Sequence, residues 1–301
     1  MDYAQKRGHA AMLLFSFLVA GSFSLGSLVA NMVEPAAINA FRFLIAIVVI
    51  STFVIFSPNI NKTDVKRLLH APWRFIIMGG LFAIYFILMF EGLKTSSPIS
   101  SSIVFTLIPI MSAGFGYFIL GQFITKRMVL ALLIAFAGAL WVIFKADFGA
   151  LLAFNIGQGE QIFFIGCVAH AIYIPITRKF NWGEKPIIST LGMLIWGCFF
   201  LTLVGFNDII NTDWSNLPPI FWFSLFYIAI FASATTFFLI QFATLALPSA
   251  KVMAYTYLTP CWVILWEVSF GKAWPPSIVF VGVIATLIAL MLLLKNEHQK
   301  I

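Results

Sequence analysis

Ser97-Pro98-Ile99-Ser100-Ser101-Ser102-Ile103-Val104-Phe105-Thr106-Leu107-Ile108-Pro109 opens an apolar run that closes at Gly121-Gln122. It has a counterpart in Leu247-Pro248-Ser249-Ala250-Lys251-Val252-Met253-Ala254-Tyr255-Thr256-Tyr257-Leu258-Thr259-Pro260, whose run closes at Gly271-Lys272. The leading prolines are 150 residues apart, the inner prolines 151 and the glycines 150. Each copy leads into a helix rich in small residues. The second copy begins five spans after the first, an odd offset, so it is expected to enter the membrane upside down. Inverted repeats of this kind build two exchangeable gates around a central site.

The rest of the chain supports a membrane reading. Of 301 residues, 61% are hydrophobic and 10% charged, against about 45–50% and 25% in soluble domains. Mean hydropathy is +1.01. A bilayer core about 30 Å thick takes roughly 20 apolar residues per helix. Ten spans are expected, near residues 9–30, 37–56, 74–92, 98–120, 127–145, 160–178, 187–206, 219–240, 248–269 and 275–294. They leave no room for a soluble domain. The apolar run after Lys6-Arg7 exceeds a signal-peptide core and no small-x-small cleavage site follows, which predicts an uncleaved first span. The halves 1–150 and 151–301 are the expected five-helix repeats of one membrane unit.

The net charge of +7 does not imply nucleic acid, because the basic residues sit in short clusters between apolar runs. With the N-terminus inside, 13 of the 18 Lys and Arg fall on the cytoplasmic side and Lys94, Lys145 and Lys272 on the other. That bias predicts a multi-pass protein of the cytoplasmic membrane with both termini inside. Cys167, Cys198 and Cys261 lie within apolar runs without metal-type spacing and read as small hydrophobes. The sequence calls for no cofactor and no metal.

Residues Glu34-Pro35-Ala36-Ala37-Ile38-Asn39-Ala40-Phe41-Arg42-Phe43 resemble the second-helix signature of EamA-type proteins of the drug/metabolite transporter superfamily. Thr95 through Pro109 to Gly121 resembles the fourth helix and its turn, and Cys167-Val168-Ala169-His170-Ala171-Ile172-Tyr173 the opening helix of the second repeat. An acidic residue common after the turn glycine in that family is here Gln122, and Lys272 in the second copy. The resemblance implies ten helices in two inverted repeats, with helices 1–4 and 6–9 around a cavity and helices 5 and 10 peripheral. It also implies a small-molecule cargo.

Polar groups at membrane depth are costly and mark candidate sites. At 1.5 Å of rise per residue, His170, Tyr85, Ser22 and Ser24 fall near the midplane of three spans. An imidazole there suits proton coupling, or it is a neutral packed group. Tyr173 shares the face of His170. Phe105, Tyr255 and Trp262 complete a candidate wall for an apolar or aromatic cargo. Arg42, five residues into its helix, needs a partner; Glu34, Glu91 or helix-end carbonyls are the expected ones. Pro109 and Pro260 are the expected mid-helix kinks of two gates, and Lys251 and Glu267 are interfacial gating candidates. Small residues at 131, 135 and 139, and at 282, 285 and 289, allow close helix packing within one subunit or between two, so monomer and homodimer stay open.

The leading reading is a secondary transporter of an uncharged or zwitterionic metabolite, such as an amino acid, working by alternating access toward efflux. Coupling to protons or to exchange is left open. A membrane-embedded enzyme on a lipid-soluble substrate, or a channel, is the alternative. The enzyme lacks a base and acid pair within the spans, and no nucleotide-binding glycine loop occurs.

Overall fold

Hydropathy places helices where the bilayer needs them, and a computed structural model of the chain, describing residues 3–143 and 156–294, bears out the all-helical fold. The main helices are α1 (Tyr3–Val29), α2 (Pro35–Phe56), α3 (Trp73–Leu93), α4 (Pro98–Leu120), α5 (Lys126–Ile143), α6 (Gln158–Phe180), α7 (Pro186–Val204) and α8 (Pro219–Ala246). Then come α9, made of Ser249–Ala254 and Thr259–Ser269, and α10 (Ser277–Leu294). Among the described residues, eight of these runs are long and apolar enough to cross a membrane; the exceptions are α5 and the broken α9. The expected boundary at 150/151, Lys145 and both chain ends lie outside the described residues.

Three boundaries depart from expectation. Helix α1 begins at Tyr3, not near residue 9, because the polar stretch before the apolar run continues the helix. Among the described residues, His9 as well as His170 therefore lies in a helix long and apolar enough to span. Helix α8 extends to Ala246 and carries a π-helical turn at Ile230–Thr235. At the two expected mid-helix kinks the hydrogen-bond ladder is interrupted while the backbone stays right-handed helical. Helix α4 stops at Phe105 and restarts at Ile108; α9 stops at Ala254, tightens into a 3₁₀ turn over Tyr255–Leu258, and restarts at Thr259. Pro109 and Pro260 each sit in the first turn of the restarted segment. A proline there costs no hydrogen bond of its own segment; what it prevents is continuation from the segment before.

Glycine lets helices touch backbone to backbone between α3 and α7: a Cβ at Gly79 would lie 2.5 Å from the Gly197 nitrogen and 2.8 Å from the Met193 carbonyl oxygen. The small-residue stripes of α5 and α10 pack against each other. A Cβ at Gly138 would fall 2.6 Å from that of Ala285, with Ala131, Ala135, Ala139 and Ala289 buried nearby. The close packing is therefore inside the subunit.

The two ends of the bundle differ in charge. At one, the start of α3 and the loop between α2 and α3 meet the loop between α6 and α7. Arg74 pairs with Glu184 at 2.9 Å and Lys185 with Asp64 at 2.7 Å. Lys6, Arg7, Lys126, Arg127, Arg178 and Lys179 cap this same end. At the other, Lys94 pairs with Glu34 at 2.8 Å and Glu91 at 3.0 Å, and Lys272 with Glu267 at 2.5 Å. Burial opposes ionisation of Lys94, but the bonds to Glu34 and Glu91 outweigh it and raise its pKa.

Candidate functional site

Aromatic residues spaced by three and four share one helix face. On α3 this brings Phe82, Tyr85 and Phe86 together, and on α6 it does the same for Phe163, His170 and Tyr173. These faces meet in the middle of the bundle. Tyr85 lies over His170 with ring centroids 4.6 Å apart, and Phe82 and Phe105 reach the imidazole at 5.2 and 5.8 Å. Tyr173 stacks beside it at 6.2 Å and packs on Phe82 at 4.0 Å. From α8, Gln241 Nε2 donates to the Tyr173 hydroxyl over 3.0 Å, and Phe237 closes on Phe82. The rings of His170, Tyr85, Tyr173 and Phe105 are buried, and helices from both repeats contribute.

His170 Nδ1 has no hydrogen-bond partner among the described residues. Buried polar atoms are normally satisfied, so this nitrogen is an available polar contact inside an otherwise apolar cluster.

Arg42 packs on Phe86, the ring that also meets Tyr85. Its guanidinium stands 4.0 Å above the Phe86 ring, and Phe86 meets Tyr85 at 4.7 Å. Neither expected acid holds it, since Glu34 and Glu91 both bind Lys94. Instead Nε donates to Ser233 Oγ at 2.5 Å, Nη2 to the Ala232 carbonyl at 2.8 Å and Nη1 to Asn39 Oδ1 at 3.4 Å. Ser233 and Ala232 belong to the π turn of α8, and Ser233 Oγ in turn donates to the Ile228 carbonyl. π turns often mark functional places in helices.

The other polar sequence candidates make no hydrogen bond to this cluster among the described residues. Ser22 Oγ turns back to the Val19 carbonyl of its own helix, and Ser24 Oγ is buried without a partner among the described residues. Tyr255, in the 3₁₀ turn of α9, hydrogen-bonds His9 Nδ1 at 3.0 Å, with half-buried Lys251 one turn before it. Trp262 Nε1 donates to Ser16 Oγ at 3.2 Å. These contacts join α9 to α1 between the midplane and the basic end. Glu267, near the end of α9, pairs with Lys272 and is 4% exposed. Gln122 Oε1 accepts the Ser249 N–H at 3.1 Å, so the turn after α4 holds the start of α9. Asn39, Ser233, Gln241 and His9 were missed by the sequence reading. Asn39 alone had a usable signal, its place three residues before Arg42.

The EamA-like transporter family matches this chain twice, over residues 6–144 and 157–295. An uncharacterized transporter of Bacillus subtilis (strain 168), YyaM, is 27% identical over 266 residues, covering 88% of this chain and 85% of its own. A second from the same organism, YcxC, is 22% identical over 270 residues, with 86% and 83% covered. A protein crystal structure aligns over 97% of this chain and 96% of its own with a TM-score of 0.71 at 18% identity, a likeness of fold.

Proposed function

Because the chain belongs to the EamA-like transporter family of multi-pass membrane proteins, we propose that it carries a small uncharged or zwitterionic metabolite, an amino acid or similar, out through the cytoplasmic membrane by alternating access. One observation carries the reading. The His170 cluster gathers side chains from both repeats, α4 supplies its Phe105 just before the interruption at Pro109, and the matched interruption at Pro260 lies in α9 against α1.

In this reading His170, Tyr85, Tyr173 and Phe105 contact the cargo at mid-depth, with Ser22 nearby on α1. Tyr255 and Trp262 line the way in from the basic end. The breaks at Pro109 and Pro260 are the moving joints, Lys251 sits at one gate and Glu267 at the other. The driving partner is a proton, taken by His170, or an exchanged solute. The two matched halves, about 1–150 and 151–301, form the two inverted repeats of one membrane unit. The distribution of lysine and arginine supports a basic end in the cytoplasm, with both termini there. The subunit works as a monomer or a homodimer.

Proteoliposomes loaded with labelled metabolites test this. Flux that saturates with concentration supports a carrier. Flux that rises linearly without limit indicates a channel, and turnover of a lipid without translocation indicates an enzyme.

A further inference from the structure

Two arginines are fully buried in this bundle, and they are held in different ways. Arg74 pairs with the Glu184 carboxylate at 2.9 Å, at the basic end. Arg42 is the eighth residue of α2, roughly 10 Å along the axis from the helix start at 1.5 Å per residue, and among the described residues no carboxylate pairs with it. A guanidinium does not shed its proton in a protein, and an uncompensated charge at membrane depth is costly. Arg42 is held by neutral acceptors only: a serine hydroxyl, a backbone carbonyl and a long contact to Asn39 Oδ1, with the Phe86 ring beneath it.

The acceptors have a further property. Ser233 and Ala232 come from the π turn of α8, where the regular hydrogen-bond ladder is interrupted. They occupy Nε and Nη2, the edge of the guanidinium that receives a carboxylate in a two-bond fork. Through Phe86 the same guanidinium adjoins Tyr85, and through Tyr85 it adjoins His170.

We propose that Arg42 is the docking point for a carboxylate on the cargo. The cargo is then a small carboxylic acid or amino acid, its carboxylate on Nε and Nη2 in place of Ser233 and Ala232. Its body lies against Phe86 and Tyr85 and reaches the unpartnered Nδ1 of His170. Pairing neutralises the guanidinium charge, so closing the loaded site off from water carries less electrostatic cost than closing the empty one. The π turn of α8 is the element that releases Arg42 on loading and recovers it on unloading. This inference rests on the transport reading above and names the chemical class of its cargo.

The test compares acids with their own amides on the full-length protein in detergent and in proteoliposomes. The probes are phenylalanine and phenylalaninamide, leucine and leucinamide, and 3-phenylpropionate and 3-phenylpropionamide. Wild type is expected to be thermally stabilised by acids and to bind them at least about tenfold more tightly than the amides. Arg42→Gln is expected to abolish that preference. Ser233→Ala, which frees the guanidinium, is expected to strengthen acid binding several-fold without strengthening amide binding. A purely structural Arg42 would change stability in these variants but not the acid-to-amide ratio. If Arg42→Gln does not fold, the wild-type ratio and Ser233→Ala decide the matter alone. Saturable flux of a probe with no acid preference overturns the role of Arg42 and leaves the transport reading standing. Absence of binding and of saturable flux for every probe overturns both.

Discussion

Arg74, at the start of α3, and Glu184, in the loop before α7, form an ion pair of 2.9 Å that is closed to solvent and ties the first repeat to the second. Arg74 also donates to the His70 carbonyl at 3.0 Å and to that of Phe180, and its guanidinium lies 3.9 Å over Trp182. Glu184 accepts the Trp182 N–H at 2.7 Å. Removing one member of such a pair strands the other charge, which costs about 3–5 kcal/mol. Glu184→Gln, measured by thermal denaturation in detergent, is expected to lower the melting temperature substantially. A wild-type melting curve would show the pair to be dispensable.

The same pair sets a pH dependence. Burial works against the Glu184 charge, but bonds from Arg74 and from the Trp182 backbone overcome it and hold the carboxyl below its ordinary value of 4.5. A carboxyl lowered in the folded state stabilises above its unfolded pKa, and that stability is lost as pH falls through the folded pKa. Melting temperature is therefore expected to decline below about pH 4.5. In Glu184→Gln this part of the decline is expected to be absent; equal slopes in the two proteins would assign the acid sensitivity to other groups.

At Gly79 the expected effect is steric. A methyl group there would meet the Gly197 nitrogen and Met193 carbonyl of α7, backbone atoms that cannot rotate away. Helix propensity favours alanine by about 1 kcal/mol, while overpacking costs about 1–3 kcal/mol. Gly79→Ala is expected to be destabilised on balance, read as a lower melting temperature and weaker recovery from the membrane. A more stable variant would mean that α3 and α7 separate freely.

Much of this architecture was legible in the sequence, and the reasons are specific. Spans follow from runs of apolar residues, and the helix breaks from prolines, because both are local chemistry. Tyr85, His170 and Tyr173 were legible as a cluster because polar atoms are rare at mid-depth. The partner of Arg42 was not, since Ser233 is 191 positions away and reaches it only through helix packing. The π turn that presents Ser233 has no composition signal in Ile230–Thr235. The early start of α1 was hidden by Lys6 and Arg7, and with it the contact of His9 with Tyr255. Burial of Glu267 was equally illegible, because its cover depends on how α9 ends against its neighbours.

His170→Gln and Tyr85→Phe test the central cluster without emptying it. Alanine at either place would also leave a cavity in a packed site and cost about 2–5 kcal/mol of stability. The conservative variants keep volume and remove one polar function each. Flux in proteoliposomes is expected to fall about tenfold or more, equivalent to about 1.4 kcal/mol in the rate-limiting step, with melting temperatures close to wild type. Unchanged flux in both variants would remove the cluster from the transport path.

The matched breaks give the last prediction. Pro109 has no N–H to offer the Phe105 carbonyl, and Thr106 and Leu107 turn to the Ile103 and Val104 carbonyls instead, each at 3.0 Å. The break therefore follows directly after Phe105, a wall of the His170 cluster. In α9, Pro260 likewise denies an N–H to the Thr256 carbonyl, beside Tyr255 and its bond to His9. One break is thus attached to the central cluster and the other to the contact with α1 nearer the basic end. Pro109→Ala and Pro260→Ala restore the missing donor and permit a continuous helix. Each is expected to raise the melting temperature and to slow saturable flux, because a joint that stiffens resists the change between the two faces. If either variant is more stable and transports as fast as wild type, that break is a static bend and motion occurs elsewhere in the bundle.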